Sequence, residues 1–261
     1  MIRALWTAAT GMGAQVTNLD VIANNIANVN TTGYKKSKAG FQDLLYQTLQ
    51  AAGSSSGPDT TRPVGQQVGS GTKVASISKE FSQGSMINTS RELDVAIAGT
   101  GFFPVTAIDG TTAYSRDGSF KLTNNGNIVT SDGLAILGIG SVPSNARAIN
   151  IGPTGQVSFI DQNGNENNVG QIQLAMFTNP SGLDAAGNNL FRQSSASGDA
   201  ILVTPGLESS GTLQQHYLEG SNVSIVEEMV NMITAQRAYE TNSKAIQAAD
   251  QMLAVANQIA R

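Results

Sequence analysis

Hydrophobic residues near the start of the chain recur at the spacing of a helix. The repeating positions are Ile2, Leu5, Ala9, Met12, Val16, Leu19, Ala23 and Ile26. An unbroken alternation of three- and four-residue steps is typical of a helix that buries one narrow face against another helix. The pattern predicts one helix over residues 1 to about 29, and Gly33 suits the left-handed backbone position that follows a helix.

The end of the chain carries a second helical pattern with two neighbouring stripes. The first stripe contains Ile225, Met229, Met232, Tyr239, Ile246 and Leu253, and the second contains Val226, Val230, Ile233, Ala249, Met252, Ala256 and Ile259. All seven prolines lie between Pro58 and Pro205, so neither end contains this helix breaker. We expect a helix over about 222–259, capped by Ser221 or Asn222. The two stripes need partners from the same chain, from other chains, or from both.

The region between the two helical patterns predicts β structure. Short apolar runs alternate with turn signals at Asp109-Gly110, Asp117-Gly118, Asn125-Gly126, Asp132-Gly133 and Asn163-Gly164. The predicted strands are 73–81, 93–98, 102–107, 112–116, 126–130, 156–160 and 171–177. Their spacing favours a sandwich or open barrel.

These patterns together predict an α+β chain in four parts. The terminal helices, 1–30 and 222–261, form an antiparallel coiled coil, and a central all-β domain covers 73–221. Residues 31–72 connect them and include an extended arm at about 46–71. The arm lacks periodicity and is marked by Gly53, Pro58, Arg62, Pro63 and Gly69. It is either a functional arm or a flexible linker.

The composition narrows the possible functions. Charged residues make up 13% of the chain, about half the usual share, which suits either a surface covered by neighbours or a neutral extracytoplasmic surface. A net charge of −4 without a basic stripe argues against nucleic-acid binding. The absence of cysteine excludes disulfides and thiolate chemistry.

The hydrophobic pattern of the sequence predicts neither a secretory signal peptide nor a membrane-spanning helix. Polar residues interrupt the N-terminal apolar positions, so we expect no cleaved secretory leader. No apolar window reaches the roughly 18 residues of a membrane-spanning helix, so we expect no direct membrane insertion.

The sequence offers no convincing catalytic, metal or cofactor site. His216 is the single histidine, and a structural role suits it best. A glycoside hydrolase needs two carboxylates, but Asp109, Asp117, Asp132 and Asp161 all lie in turn sequences. The loop that begins at Asp161 lacks the ligand spacing of a calcium loop. The sequence therefore predicts that the chain is not an enzyme and binds no cofactor.

Asparagines crowd the end of the first predicted helix. Asn28 and Asn30 suit turns, whereas Asn24 and Asn25 lie within the helical pattern, where Asn is unfavourable. An amide pair at this point suits hydrogen bonding across tightly packed helices, which fixes their register.

Four segments resemble the bacterial flagellar rod and hook protein family. They are residues 23–35, which end in Gly33-Tyr34-Lys35, and residues 93–103, 114–120 and 226–240. The resemblance covers essentially the whole chain. The arm resembles the extra stretch that marks distal rod subunits, and a hook protein would need a further outer domain. A proximal rod or hook-type protein of the same family is the alternative.

The resemblance implies a structural subunit that polymerises into a rigid hollow helical tube. Such a tube transmits motor torque to the hook and lines the export channel. The implied partners are copies of the chain, the proximal rod and hook proteins, the basal-body ring proteins and the type III export apparatus. The implied location is the basal-body rod, from the periplasm to the outer membrane.

The resemblance also assigns an assembly role to particular residues. The expected interface comprises Ile2, Leu5, Met12, Val16, Leu19, Asn24, Asn25, Ile26, Asn28, Gly33, Tyr34, Met229, Met232, Ile233, Tyr239, Ile246 and Leu253. The arm residues Gly53, Pro58, Arg62, Pro63 and Gly69 would reach between subunits. Two other classes remain open from the residues alone: an extracellular β-domain binding module and a cell-wall glycan hydrolase.

Overall fold

The computed structural model of the chain describes residues 2–53, 55–57, 60–143, 146–207 and 210–259. The chain divides into two compact units. The first contains residues 1–26, 37–78 and 225–261, and the second contains residues 27–36 and 79–224. The α+β class is therefore as predicted, with helices and strands in separate stretches of the sequence.

Both helices belong to the first unit. Helix α1 spans Ile2–Ala27 and helix α2 spans Ile225–Ile259, so the predicted helices are confirmed with small shifts of their ends. The predicted cap of α2 is wrong. Asn222 uses its side-chain oxygen to accept a hydrogen bond from the Lys36 backbone N–H at 2.7 Å, and the helix begins after Ser224 instead.

The first unit also contains six strands within its described residues. They are β1 (Ser37–Asp43), β2 (Tyr46–Gln50), β3 (Ser55–Gly57), β4 (Thr60–Thr61), β5 (Gln66–Gly69) and β6 (Thr72–Lys79). β1 pairs with β6, β2 with β5, and β3 with β4. The predicted arm is therefore a paired ladder where the sequence indicated irregular chain. The two strands of this ladder are largely exposed, so neither has a buried face that requires apolar residues at alternate positions. Their Gln, Thr and Gly residues therefore show no apolar alternation.

The described part of the second unit is built from short strands. They are β7 (Met86–Asn88), β8 (Val95–Ala98), β9 (Phe103–Thr106), β10 (Thr112–Ser115), β11 (Lys121–Leu122), β12 (Ile128–Val129), β13 (Ala146–Ile151), β14 (Gln156–Asp161), β15 (Glu166–Gln171), β16 (Leu174–Met176), β17 (Asp184–Gly187), β18 (Leu190–Arg192), β19 (Ile201–Val203), β20 (Thr212–Gln215) and β21 (Tyr217–Glu219). One sheet has the order β17-β18-β10-β9 and another β13-β14-β15. The remaining pairs are β11-β12, β16-β19, β20-β8 and β21-β7.

The predicted strands each correspond to an observed strand, with ends displaced by a few residues. The turn signals explain this agreement. Gly126 has φ +78° and donates its N–H to the Thr123 carbonyl at 2.9 Å, as a tight turn requires. Gly118 serves differently, because a Cβ there would collide with the Val95 carbonyl.

Two apolar clusters hold the second unit together. The larger contains Val95, Phe103, Val105, Val157, Ile172 and Leu174, each essentially inaccessible to solvent. The smaller groups the aromatic residues Phe102, Tyr114, Phe177 and Phe191. Burial of apolar surface contributes about 25 cal/mol per Å², so these two clusters give the second unit a hydrophobic core of its own. Neither described helix is long and apolar enough to cross a membrane.

Candidate functional site

The side chain of Asn25 connects three elements of the first unit. Its amide nitrogen donates to the Ser37 carbonyl at 2.8 Å, and its oxygen accepts the Ser37 N–H at 2.9 Å. The same nitrogen lies 3.4 Å from Glu228 Oε2 on α2. Asn25 is 2% exposed and Glu228 is 5% exposed. A buried amide with paired partners fixes the position of a helix because any displacement leaves polar groups unpaired.

A second contact sets the relative direction of the two helices. A Cβ built on Gly11 would lie 3.0 Å from Asn242 Nδ2. Asn25 meets Glu228 and Gly11 meets Asn242, so moving toward the start of α1 corresponds to moving toward the end of α2. The helices therefore run antiparallel where they touch.

The buried residues of α1 are Ala8, Ala14, Val21, Ile22 and Asn25, and those of α2 are Glu228, Ala235 and Ala249. Seven-residue steps from Asn25 to Gly11 and from Glu228 to Asn242 pass through Asn18 and through Ala235, which is 2% exposed. On α1 this stripe is displaced by one position from the apolar repeat. One residue of an α-helix is a rotation of about 100°, so the apolar repeat faces a different direction.

The predicted interface residues of α1 are accordingly only partly covered within the chain. Leu5, Met12, Leu19 and Ile26 are half-buried, while Asn24 is exposed and Val16 is 45% exposed. Ile2 begins the helix, and its side chain lies outside the described residues. The structure brings Asn25 alone of these residues fully into the interior.

Helix α2 exposes a continuous apolar surface at its start. We call it the α2 apolar face, and it comprises Ile225, Val226, Met229, Val230 and Ile233. Val226 is 74% exposed and the other four are 46–54% exposed. Further along the helix, Met232, Ile246 and Leu253 are half-buried, and Tyr239 is exposed. An apolar helix face that the chain leaves open is typical of an interaction surface.

Of the predicted arm residues, Gly69 lies on β5, and Gly53, Arg62 and Pro63 lie between β2 and β5 in the sequence. Gly53 adopts φ +80° and donates its N–H to the Arg62 carbonyl at 2.9 Å. The Arg62 side chain bonds Gln50. Pro63 is exposed, Gly69 packs against the Tyr46 ring, and Pro58 lies outside the described residues. The arm also exposes Tyr46, Leu49, Val64 and Val68, and Leu45 directly before it is exposed as well.

The segment after α1 holds the remaining predicted residues. Asn28 accepts hydrogen bonds from the N–H and the hydroxyl of Thr31. Gly33 has the predicted left-handed conformation, with φ +67°, and donates its N–H to the Glu219 carbonyl at 2.8 Å. Tyr34 stacks beneath Lys79, whose Nζ lies 4.9 Å from the ring centroid. Burial lowers the pKa of Lys79.

A buried charged cluster lies beside this segment. We call Lys35, Arg116 and Glu219 the root clamp. Lys35 Nζ is 2.6 Å from Glu219 Oε1, and Arg116 Nε is 2.6 Å from Glu219 Oε2. Each of the three is at most 5% exposed, and burial lowers the pKa of Lys35, partly offset by its hydrogen bond to Glu219. The clamp joins the chain leaving α1 to the chain entering α2.

The sequence reasoning missed the root clamp. Its members are separated by 184 and 103 positions, so no local spacing connects them. The sequence contained one indirect signal, which was the small number of charged residues in the chain. Charged side chains are rarely buried unless they are paired, but this rule does not identify the partners. Breaking such a buried pair is costly even where the intact pair adds little.

The residues considered for catalysis have structural surroundings. His216 Nδ1 lies 3.1 Å from the Arg91 carbonyl. Asp117 accepts the Ser119 N–H and the Thr32 hydroxyl. The Thr111 hydroxyl holds the pKa of the exposed Asp109 below its usual value. Among the described residues, no group of three His, Cys, Asp or Glu side chains could hold a metal ion.

Three family models match separate parts of the chain. The "Flagella basal body rod protein" model matches residues 5–35, and the "Flagellar hook protein FlgE/F/G D1 domain" model matches residues 96–159. The "Flagellar basal body rod FlgEFG protein C-terminal" model matches residues 214–259. The matched segments include most of α1 and all of α2, and therefore the helix faces described above.

Several full-length relatives share the name "Flagellar basal-body rod protein FlgG". The relative from Borreliella burgdorferi is 52% identical, with 100% of both chains covered. The relative from Caulobacter vibrioides is 48% identical over 99% of each chain, and that from Bacillus subtilis is 41% identical over 97% of each.

The chain therefore belongs to the flagellar basal-body rod protein family. This confirms the resemblance found from the motifs. The relatives are rod proteins and not enzymes, in agreement with the prediction that the chain has no catalytic function.

Proposed function

We propose that the chain is the structural subunit of a flagellar distal rod. Copies polymerise head to tail into a rigid hollow helical tube, which carries torque to the hook and surrounds the export channel. An interface between different faces that does not close produces an open helical filament. The FlgG name of the relatives that match over their full length supports the distal rod over a proximal rod or hook-type protein.

The exposed α2 apolar face is the observation that carries this proposal. Complete burial of one Val, Ile or Met side chain contributes about 1.5–3 kcal/mol. Because these five side chains are already partly covered, burial of their remaining exposed surface by neighbours would contribute about 4–8 kcal/mol. That gain offsets the entropy lost when the subunit is ordered at the growing end.

The contacts between the two helices support the same conclusion. Gly11, Asn25 and Glu228 fix the register of the two helices, but these contacts bury little apolar surface. Helices held by such contacts are marginal in an isolated subunit. We infer that the pair becomes a coiled-coil inner layer when neighbouring subunits cover the apolar repeats.

The other parts of the chain complete the proposal. Residues 73–221 form the outer β wall, and the arm at about 46–71 reaches between subunits through its exposed apolar residues. The remaining partners are the proximal rod and hook proteins, the surrounding ring proteins and the type III export apparatus. The tube runs from the periplasm to the outer membrane.

Replacing Val226 and Val230 together by Asp tests the proposal. Both side chains are exposed, so the subunit should fold normally but fail to polymerise. Gln236→Asp combined with Gln247→Asp provides the control, since it places the same two charges at exposed polar positions of α2. Sedimentation and electron microscopy measure the polymer. Normal tubes from the double variant would show that this face is not an assembly surface.

A further inference from the structure

A cavity of about 100 Å³ adjoins the root clamp in the second unit. Lys35 and Arg116 border the cavity, and most of the remaining wall is apolar. The principal wall residues are Phe81, Phe102, Met176, Phe177 and Pro180. The cavity therefore combines two cationic groups with an aromatic and aliphatic lining.

The charges beside this cavity do not balance. The clamp contains two cations, Lys35 and Arg116, and one carboxylate, Glu219. All three are buried. A buried charge without a counter-ion is unfavourable, and an anion placed in the cavity would relieve the imbalance.

The two cations also retain donors for an additional ligand. An ammonium has three N–H donors, and Lys35 uses two of them on Ser82 and Glu219 among the described residues. A guanidinium has five, and Arg116 uses three on Glu219, Gly101 and Gly99 within the same part of the chain. One donor of Lys35 and two of Arg116 thus remain for a bound acceptor.

The aromatic residues that line the cavity indicate the chemical character of the ligand's uncharged part. The Phe81 and Phe102 ring centroids are 5.3 Å apart, and the Phe102 and Phe177 centroids are 5.8 Å apart, both edge-to-face. Such an arrangement favours a small apolar body, and ring edges attract negative charge. We propose that this cavity binds a carboxylate carried on a short apolar group. The carboxylate belongs to a free small molecule or to an acidic side chain of a neighbouring copy.

Benzoate is a suitable probe, with benzamide as its uncharged counterpart. We expect benzoate to bind the dilute subunit with a Kd on the order of 1 mM and to shift the methyl NMR signal of Met176, which lines the cavity. Met176→Trp should fill the cavity and weaken benzoate binding by about tenfold or more. Met176→Leu preserves the volume and should retain binding.

Calorimetry of both probes decides the outcome. Binding of benzoate but not benzamide, lost in Met176→Trp and kept in Met176→Leu, supports the site. Absence of benzoate binding, equal binding of the two probes, or binding that Met176→Trp leaves unchanged overturns it.

Polymerisation assays of the same two variants distinguish a carboxylate from a neighbouring copy from a carboxylate of a free small molecule. If a neighbouring copy supplies it, Met176→Trp should raise the critical concentration of the polymer and Met176→Leu should not. If a free molecule supplies it, both variants should polymerise like the parent chain while benzoate binding still differs between them.

Discussion

Asn25 on α1 and Glu228 on α2 meet within the first unit although 203 positions separate them in the sequence. The amide nitrogen lies 3.4 Å from the carboxylate oxygen, and both side chains are buried. A polar contact of this kind specifies which residues face each other more than it adds stability. The apolar repeat of α1 and the α2 apolar face both stay partly exposed within the chain.

Asn25→Asp should impair assembly by breaking this contact. The new carboxylate would lie against Glu228 and could not donate to the Ser37 carbonyl. We expect the critical concentration for polymerisation to rise by about tenfold or more, equivalent to about 1.4 kcal/mol. Asn24→Asp makes the same change at an exposed neighbouring position and should have a much smaller effect. Equal effects of the two variants would argue against a role for the buried contact.

Gly11 and Gly13 form a second matched pair. A Cβ at Gly11 meets Asn242, whereas a Cβ at Gly13 has nothing within 4 Å. Gly11→Leu should therefore separate the helices and weaken the polymer. Gly13→Leu should favour helix α1 by up to about 1 kcal/mol. Circular dichroism and the critical concentration measure both effects, and a harmless Gly11→Leu would contradict the antiparallel register.

Glu219→Gln should destabilise the second unit through the root clamp. The change leaves Lys35 and Arg116 buried without a counter-charge, and loss of one partner from a buried pair costs about 3–5 kcal/mol. The exposed pair of Asp109 and Arg192 offers the comparison, because Asp109→Asn should change stability far less. Urea denaturation followed by near-ultraviolet circular dichroism, to which the buried Tyr114 of the second unit contributes, measures the difference. Similar effects of the two substitutions would show that the clamp is not buried as described.

Lys79 should make stability depend on alkaline pH. Burial lowers its pKa below 10.5 in the folded protein, so between that lowered pKa and 10.5 the unfolded chain binds more protons. The free energy of unfolding should consequently rise with pH across this window. Lys79→Met should remove that part of the increase. An unchanged pH slope in the variant would refute the assignment.

The sequence predicted the positions of the helices and strands better than it predicted which of their faces are buried. Turn signals such as Asn125-Gly126 located strands because a tight turn leaves few conformations for the chain. The β2–β5 ladder escaped notice because its exposed residues follow no apolar alternation. The apolar repeat of α1 identified a surface that requires burial, but the residues covered within the chain lie one or two positions before those of the repeat.

The candidate site illustrates the same limit. Asn25 could be singled out because Asn is unfavourable inside a helix. Lys35, Arg116 and Glu219 could not, because each depends on partners far away in the sequence. Contacts of that kind become visible when the fold has brought the strands together.

Amide hydrogen exchange of α1 and α2, compared between dilute subunits and polymer, shows whether neighbouring copies complete these helices. We expect fast exchange over 2–27 and 225–259 in the dilute subunit, while the buried strands of the second unit stay protected. Polymerisation should slow exchange in both helices by about a hundredfold or more. Helices already as protected in the dilute subunit as in the polymer would contradict the claim that neighbouring copies complete them.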